Sequence, residues 1–142
     1  MNQQYDEDFY SWAFTQADLL KNKKIESLDI EHLVEEIECL GSERERALES
    51  FLRNLFTHLL KDQYQPLMKT TSWEITIKRS INDARKTIKK NPGLKSKLKE
   101  ITKDAYEDAT YEAALQTGMR KSIFPEDCPW NVDDLLSDKE VK

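Results

Sequence analysis

Residues 29–60 read D-I-E-H-L-V-E-E-I-E-C-L-G-S-E-R-E-R-A-L-E-S-F-L-R-N-L-F-T-H-L-L, and the spacing of their apolar side chains decides the fold. Leu33, Ile37, Leu40, Ala47, Leu48, Phe51, Leu52, Leu55, Phe56, Leu59 and Leu60 recur at steps of three and four, the period of one helix face. Asp29 supplies an N-cap ahead of them. Gly41-Ser42 interrupts the run, and Ser42 with Glu45 matches a capping box. The residues therefore permit one long helix or two with a break at Gly41. The phase 33, 37, 40, 44, 47, 51 runs through the glycine and favours one helix, with Arg44 in a core-facing slot.

Outward from this stretch the same pattern repeats. Upstream, Asp6 or Asp8 can cap a helix carrying Phe9, Trp12, Ala13, Leu19 and Leu20, which ends in the cations of Lys21–Lys24. Downstream, Ser72 opens a helix with Trp73, Ile77, Ile81, Ala84 and Ile88 on one stripe, and Asn91-Pro92-Gly93 stops it. A further helix spans about Leu94 to Thr117, with Gly118 as its C-cap and alanines that permit close helix approach. Ile123-Phe124-Pro125 and Cys128-Pro129-Trp130 then form a stiff arm, and Asn131 caps a short turn ending at Leu135-Leu136. No strand pattern and no repeat occurs.

These elements predict an all-α chain, a compact bundle of about four main helices plus a short C-terminal helical turn. At 142 residues a single domain over 1–142 is expected. Its ordered core spans about 5–136, with a C-terminal arm at 119–136 and a frayed tail at 137–142. Apolar residues make up 38% and charged residues 35% of the chain, a thin core under a wide solvated surface. The start is acidic without an apolar signal-peptide core, and no apolar run is long enough to span a bilayer, so no membrane association and a cytoplasmic location are expected. Cys39 and Cys128 are too few for a disulfide framework and lack metal-ligand pairing, so they read as reduced thiols.

Net charge is −5, but the charges are segregated. From Glu26 to Glu49 there are nine acidic and two basic side chains; from Lys78 to Lys103 there are ten basic and two acidic. Either the two segments face each other, or one of them faces a charged partner.

Four groups of residues are candidates for chemistry. His32 and Glu36, four apart on one helix face, are weak candidates to hold a metal ion with help from a second helix. Glu35, Glu31 and Glu38 lie nearby, but the Glu-x-x-His pattern of helical carboxylate sites is missing. His58 and Asp62 form a second i, i+4 pair, read as a structural polar pair that fixes helix register. Lys78, Arg79, Arg85, Lys86, Lys89 and Lys90 cover the helix side opposite Ile77, Ile81 and Ala84, and form a possible binding face for phosphates. That segment lacks interleaved aromatic residues for base stacking. No nucleophile, base and oxyanion donor can be assembled from these residues, so no catalytic residue is assigned and no cofactor is expected.

Tyr5 with Asp8-Phe9 and Trp12, Ala17 with Leu19-Leu20, Leu28-Asp29, Glu35-Glu36-Ile37, Leu40-Gly41, His58-Leu59-Leu60-Lys61, Gln65-Pro66, Ser72-Trp73, Tyr106, Ala109 and Phe124-Pro125 through Cys128-Pro129-Trp130 together resemble the family known as domain of unknown function 29. These are small bacterial proteins, abundant in cyanobacteria. The likeness runs from about Tyr5 to Leu136. It implies an all-helical fold and a bacterial origin, and no activity. Similar proteins usually carry an arginine where this chain has Ile81, with Arg79 and Arg85 nearby.

The residues thus rank three functions. First is a non-enzymatic helical protein-interaction module whose partner is another protein or its own copy. Second is a nucleic-acid-associated protein using residues 78–103. Third is a metal-dependent hydrolase around His32, Glu36 and His58. His32 and His58 are 26 residues apart, ~39 Å along a straight helix, which places the third reading last.

Overall fold

A computed structural model describes residues 3–137, so the expected tail lies outside the described residues apart from Ser137. All regular elements among the described residues are helical. In order they are α1 (Gln3–Glu7), α2 (Phe9–Lys21), α3 (Ile30–Tyr64), α4 (Thr71–Lys90), α5 (Leu98–Thr117) and α6 (Val132–Leu135), with a 3-10 segment in each connection after α2. The expected four main helices are α2 to α5, and the expected short turn is α6.

Local chemistry explains the boundaries. The Asp8 carboxylate accepts from Ser11 N–H at 3.0 Å and caps α2, separating it from the short α1. At the start of α3, Asp29 accepts from the His32 backbone N–H at 3.4 Å. The helix continues through Gly41, because one glycine costs about 1 kcal/mol relative to alanine and the flanking residues are strong helix formers. Helix α4 begins earlier than Ser72 implies: Thr70, an equally good cap, accepts from Trp73 N–H. Asn91 ends it as expected, but Pro92-Gly93 sends the chain into a 3-10 turn over Pro92–Lys97, so α5 starts at Leu98. Gly118 closes α5 at φ 74, a left-handed conformation that suits only glycine without strain.

The chain divides into two compact units at Ser42/Glu43. The C-terminal unit holds a continuous core. Leu48, Leu52, Leu55, Phe56 and Leu60 from α3 meet Ala84 from α4 and Ile101, Ala105, Ala109 and Ala113 from α5. Ala105, Ala109 and Ala113 have no exposed surface. The arm closes one end of this core. Phe124 and Val132 are buried, Trp130 stacks on Phe56 with ring centroids 5.9 Å apart, and the Tyr106 hydroxyl donates to the Pro125 carbonyl at 2.6 Å.

The N-terminal unit is different. Trp12 and Gln16 are its buried residues among those described. Ile37 and Leu40, on the stripe that the sequence assigned to a core, are 66% and 63% exposed. Arg44 on the same stripe is also exposed. Helical period locates a face; burial depends on a second element lying against it.

Candidate functional site

The N-terminal unit is organised by one carboxylate. Asp29 ends the connection between α2 and α3, and its backbone N–H donates to the Gln16 side-chain carbonyl at 2.8 Å. Its Oδ2 accepts from the Trp12 indole N–H at 2.9 Å and from His32 Nδ1 at 2.7 Å. Tyr5 stacks flat on the His32 ring with centroids 3.8 Å apart, and its hydroxyl donates to the Glu36 carboxylate. One chain of contacts therefore ties α1, α2 and α3 through Tyr5, Trp12, Asp29, His32 and Glu36.

The electrostatics follow from these partners. Partial burial pushes the Asp29 carboxyl up, but hydrogen bonds from His32 and Trp12 outweigh it and hold the group below its usual range. The hydrogen bond to Asp29 raises the His32 imidazolium pKa, against a smaller loss from desolvation. Tyr5 is pushed up to about 12 by its bond to Glu36. His32 and Glu36, expected as metal candidates, are thus each turned to another partner. Among the described residues, no three His, Cys, Asp or Glu side chains converge in a way that could hold a metal ion. The sequence carried one hint of this network: Asp29 as N-cap puts His32 in the first turn above it.

The unit also exposes large apolar side chains. Phe9, Tyr10, Phe14, Leu20 and Ile25 are exposed, and so are Ile30, Val34, Ile37 and Leu40 along the first half of α3. Projected at 100° per residue, Ile30, Val34 and Ile37 form one row, and Glu31, Glu35 and Glu38, all exposed, form the row beside it.

In the C-terminal unit an open cleft of about 1460 Å³ lies between α5, the turn before it and the arm. Its apolar lining includes the buried Tyr106, Phe124 and Val132 and the partly exposed Leu98 and Trp130. From α5 and the turn before it the lining takes Lys95, Lys99, Lys103 and Glu107, and from the arm Lys121, Glu126, Asp127 and Asp133, all exposed. Cys128 also lines it; its thiol contacts the Trp130 carbonyl at 3.5 Å, and burial raises its pKa.

The remaining sequence candidates fall in the same unit. His58 Nδ1 donates to the Asn54 carbonyl at 2.9 Å, whereas Asp62 accepts from Lys69 at 3.3 Å. The two take different partners because each finds a closer group, His58 on the preceding turn and Asp62 on the chain entering α4. Of the basic face, Lys78, Arg79, Lys86, Lys89 and Lys90 are exposed. Arg85 instead holds the arm: its guanidinium donates to the carbonyls of Leu136 at 3.1 Å and Ser137 at 2.8 Å. On the other side of the core, Glu49 of α3 lies against Asp108 and Asp104 of α5, and burial with that repulsion raises its pKa. An acidic side chain of α3 thus meets carboxylates, where the charge pattern also permitted lysines.

Among the described residues, no helix is long and apolar enough to cross a membrane. No curated protein and no solved structure matches the chain. A family model does match, over residues 4–140, and on that match the chain belongs to the family described as Domain of unknown function DUF29.

Proposed function

We propose that the chain is a non-enzymatic protein-interaction module whose docking surface is the apolar face of the N-terminal unit. One observation carries the reading. Trp12 is the one buried apolar side chain of that unit among the described residues, while nine large apolar side chains there are exposed. An apolar surface of that kind marks a place where another molecule binds, since exposure leaves its burial free energy, ~25 cal/mol per Å², unrealised. The polar network around Asp29 supports the same reading, because it orders the helices that present the surface without burying them.

The test is a comparison of the wild-type chain with a variant in which Phe14, Ile37 and Leu40 are all serine. All three are exposed, so the variant keeps its helix content by circular dichroism. A protein retained by the wild type from the native host and lost by the variant supports the module. Identical retention by both sinks it. A second reading, nucleic-acid association, rests on the exposed cations Lys78, Arg79, Lys86, Lys89 and Lys90 of α4. A mobility shift that weakens steeply with salt supports that reading, and no shift at low salt removes it.

A further inference from the structure

We propose that the molecule covering the exposed half of α3 is a second copy of this chain. Ile30, Val34 and Ile37 of one copy seat in the cleft of the other, and Glu31, Glu35 and Glu38 face Lys95, Lys99 and Lys103. This rests on the interaction-module reading and names its partner.

Polarity matches on both sides. The helix offers an apolar row flanked by an acidic row, and the cleft offers partly exposed Leu98 and Trp130 beside three exposed lysines. Glu31 and Glu38 lie seven positions apart, ~10 Å along α3, while Lys99 and Lys103 lie about one turn apart on α5 and Lys95 lies in the 3-10 turn before it. None of the six charged side chains takes part in an ion pair among the described residues.

The charges also fix which surfaces meet. Two acidic half-helices side by side would juxtapose like charges, as would two lysine clusters, and both arrangements are disfavoured. The contact is therefore between unlike surfaces, the α3 face of one copy and the cleft of another. Opposite charge at its rim makes the association salt-sensitive.

The test uses two charge-reversed chains: one with Glu31, Glu35 and Glu38 changed to Lys, the other with Lys95, Lys99 and Lys103 changed to Glu. Molar mass by light scattering reads the outcome, and circular dichroism checks folding. The wild type dimerises, and added salt weakens the dimer without any substitution. Each variant alone dimerises about tenfold or more weakly. An equimolar mixture of the two restores the dimer, because each reversed row then meets a reversed cluster. A wild type that stays monomeric across the accessible concentrations, a dimer indifferent to either reversal, or a mixture that stays monomeric each overturn the proposal. If it falls while the Phe14, Ile37 and Leu40 serine variant still loses a host protein, the module reading stands. If that variant loses nothing either, both fall.

Discussion

The indole N–H of Trp12 and the side chain of His32 share a single acceptor, Oδ2 of Asp29, at 2.9 and 2.7 Å. That atom joins α2 to α3 in the N-terminal unit, so its protonation and that of its partner set the pH range in which the joint holds. The folded pKa of Asp29 is lowered, so its contribution is present above the unfolded carboxylate value near 3.8 and is lost as pH falls through the folded value. The folded pKa of His32 is raised, so its contribution is complete below the unfolded value near 6.5 and is lost as pH rises through the folded value. NMR titration of His32 is expected to give a pKa above 6.5, and Asp29→Asn to bring it back towards that value. A His32 pKa unchanged by Asp29→Asn would show that the pair is not formed.

Helix α3 carries apolar side chains in two surroundings, one covered and one exposed. Leu52 has no exposed surface, whereas Leu40 is 63% exposed. Leu52→Ala is expected to lower unfolding free energy by about 3 kcal/mol. Leu40→Ala is expected to change it by less than about 0.5 kcal/mol. Urea denaturation of the two variants measures both.

Glu49 against Asp108 is a repulsive contact kept inside the C-terminal unit. Its pKa is raised, so the native state binds its proton more tightly and the associated stability falls as pH rises from the unfolded value near 4.5 through the folded one. Glu49→Gln removes the charge and supplies an amide donor for Asp108. The variant is expected to be more stable at pH 7 by about 0.3 kcal/mol, the size of a like-charge contact on helix surfaces, and to lose that advantage near pH 4. Thermal melts at the two pH values check the sign.

Arg85 ties α4 to the end of the arm through two carbonyls. Arg85→Ala is expected to destabilise the C-terminal unit by about 2 kcal/mol, as for charge-assisted hydrogen bonds. Hydrogen exchange should quicken over Val132–Leu136 before it quickens in α5. Uniform acceleration throughout the unit would mean that Arg85 does not hold the arm separately from the rest.

Much of the fold was legible because its determinants are local. Asp8, Asn131 and Gly118 act where their side chains, or the lack of one, make them act, and the apolar phase carried α3 across Gly41. Thr70 and Ser72 are both good caps two residues apart, so composition alone could not choose between them. The site was less legible for a physical reason. Trp12, Gln16, Asp29 and Tyr5 are brought together only by the chain reversal between α2 and α3, which no helical period encodes. His58 and Asp62 had the right spacing, yet Asn54 and Lys69 offered nearer partners. Arg85 shares a helix with the exposed lysines, but the position of the arm removes it from their face.

Gly41 lies one residue before the division between the two units, and a Cβ added there would meet nothing within 4 Å. No packing requires the glycine, so α3 is weakest at the junction by about the 1 kcal/mol that alanine would return. Limited proteolysis should therefore open the chain near Gly41 first and release a trimmed C-terminal fragment with its core complete, whereas Gly41→Ala should slow that cut. Such a fragment lacks every exposed side chain of the N-terminal surface, and so offers a ready-made control for any experiment that asks what the surface binds.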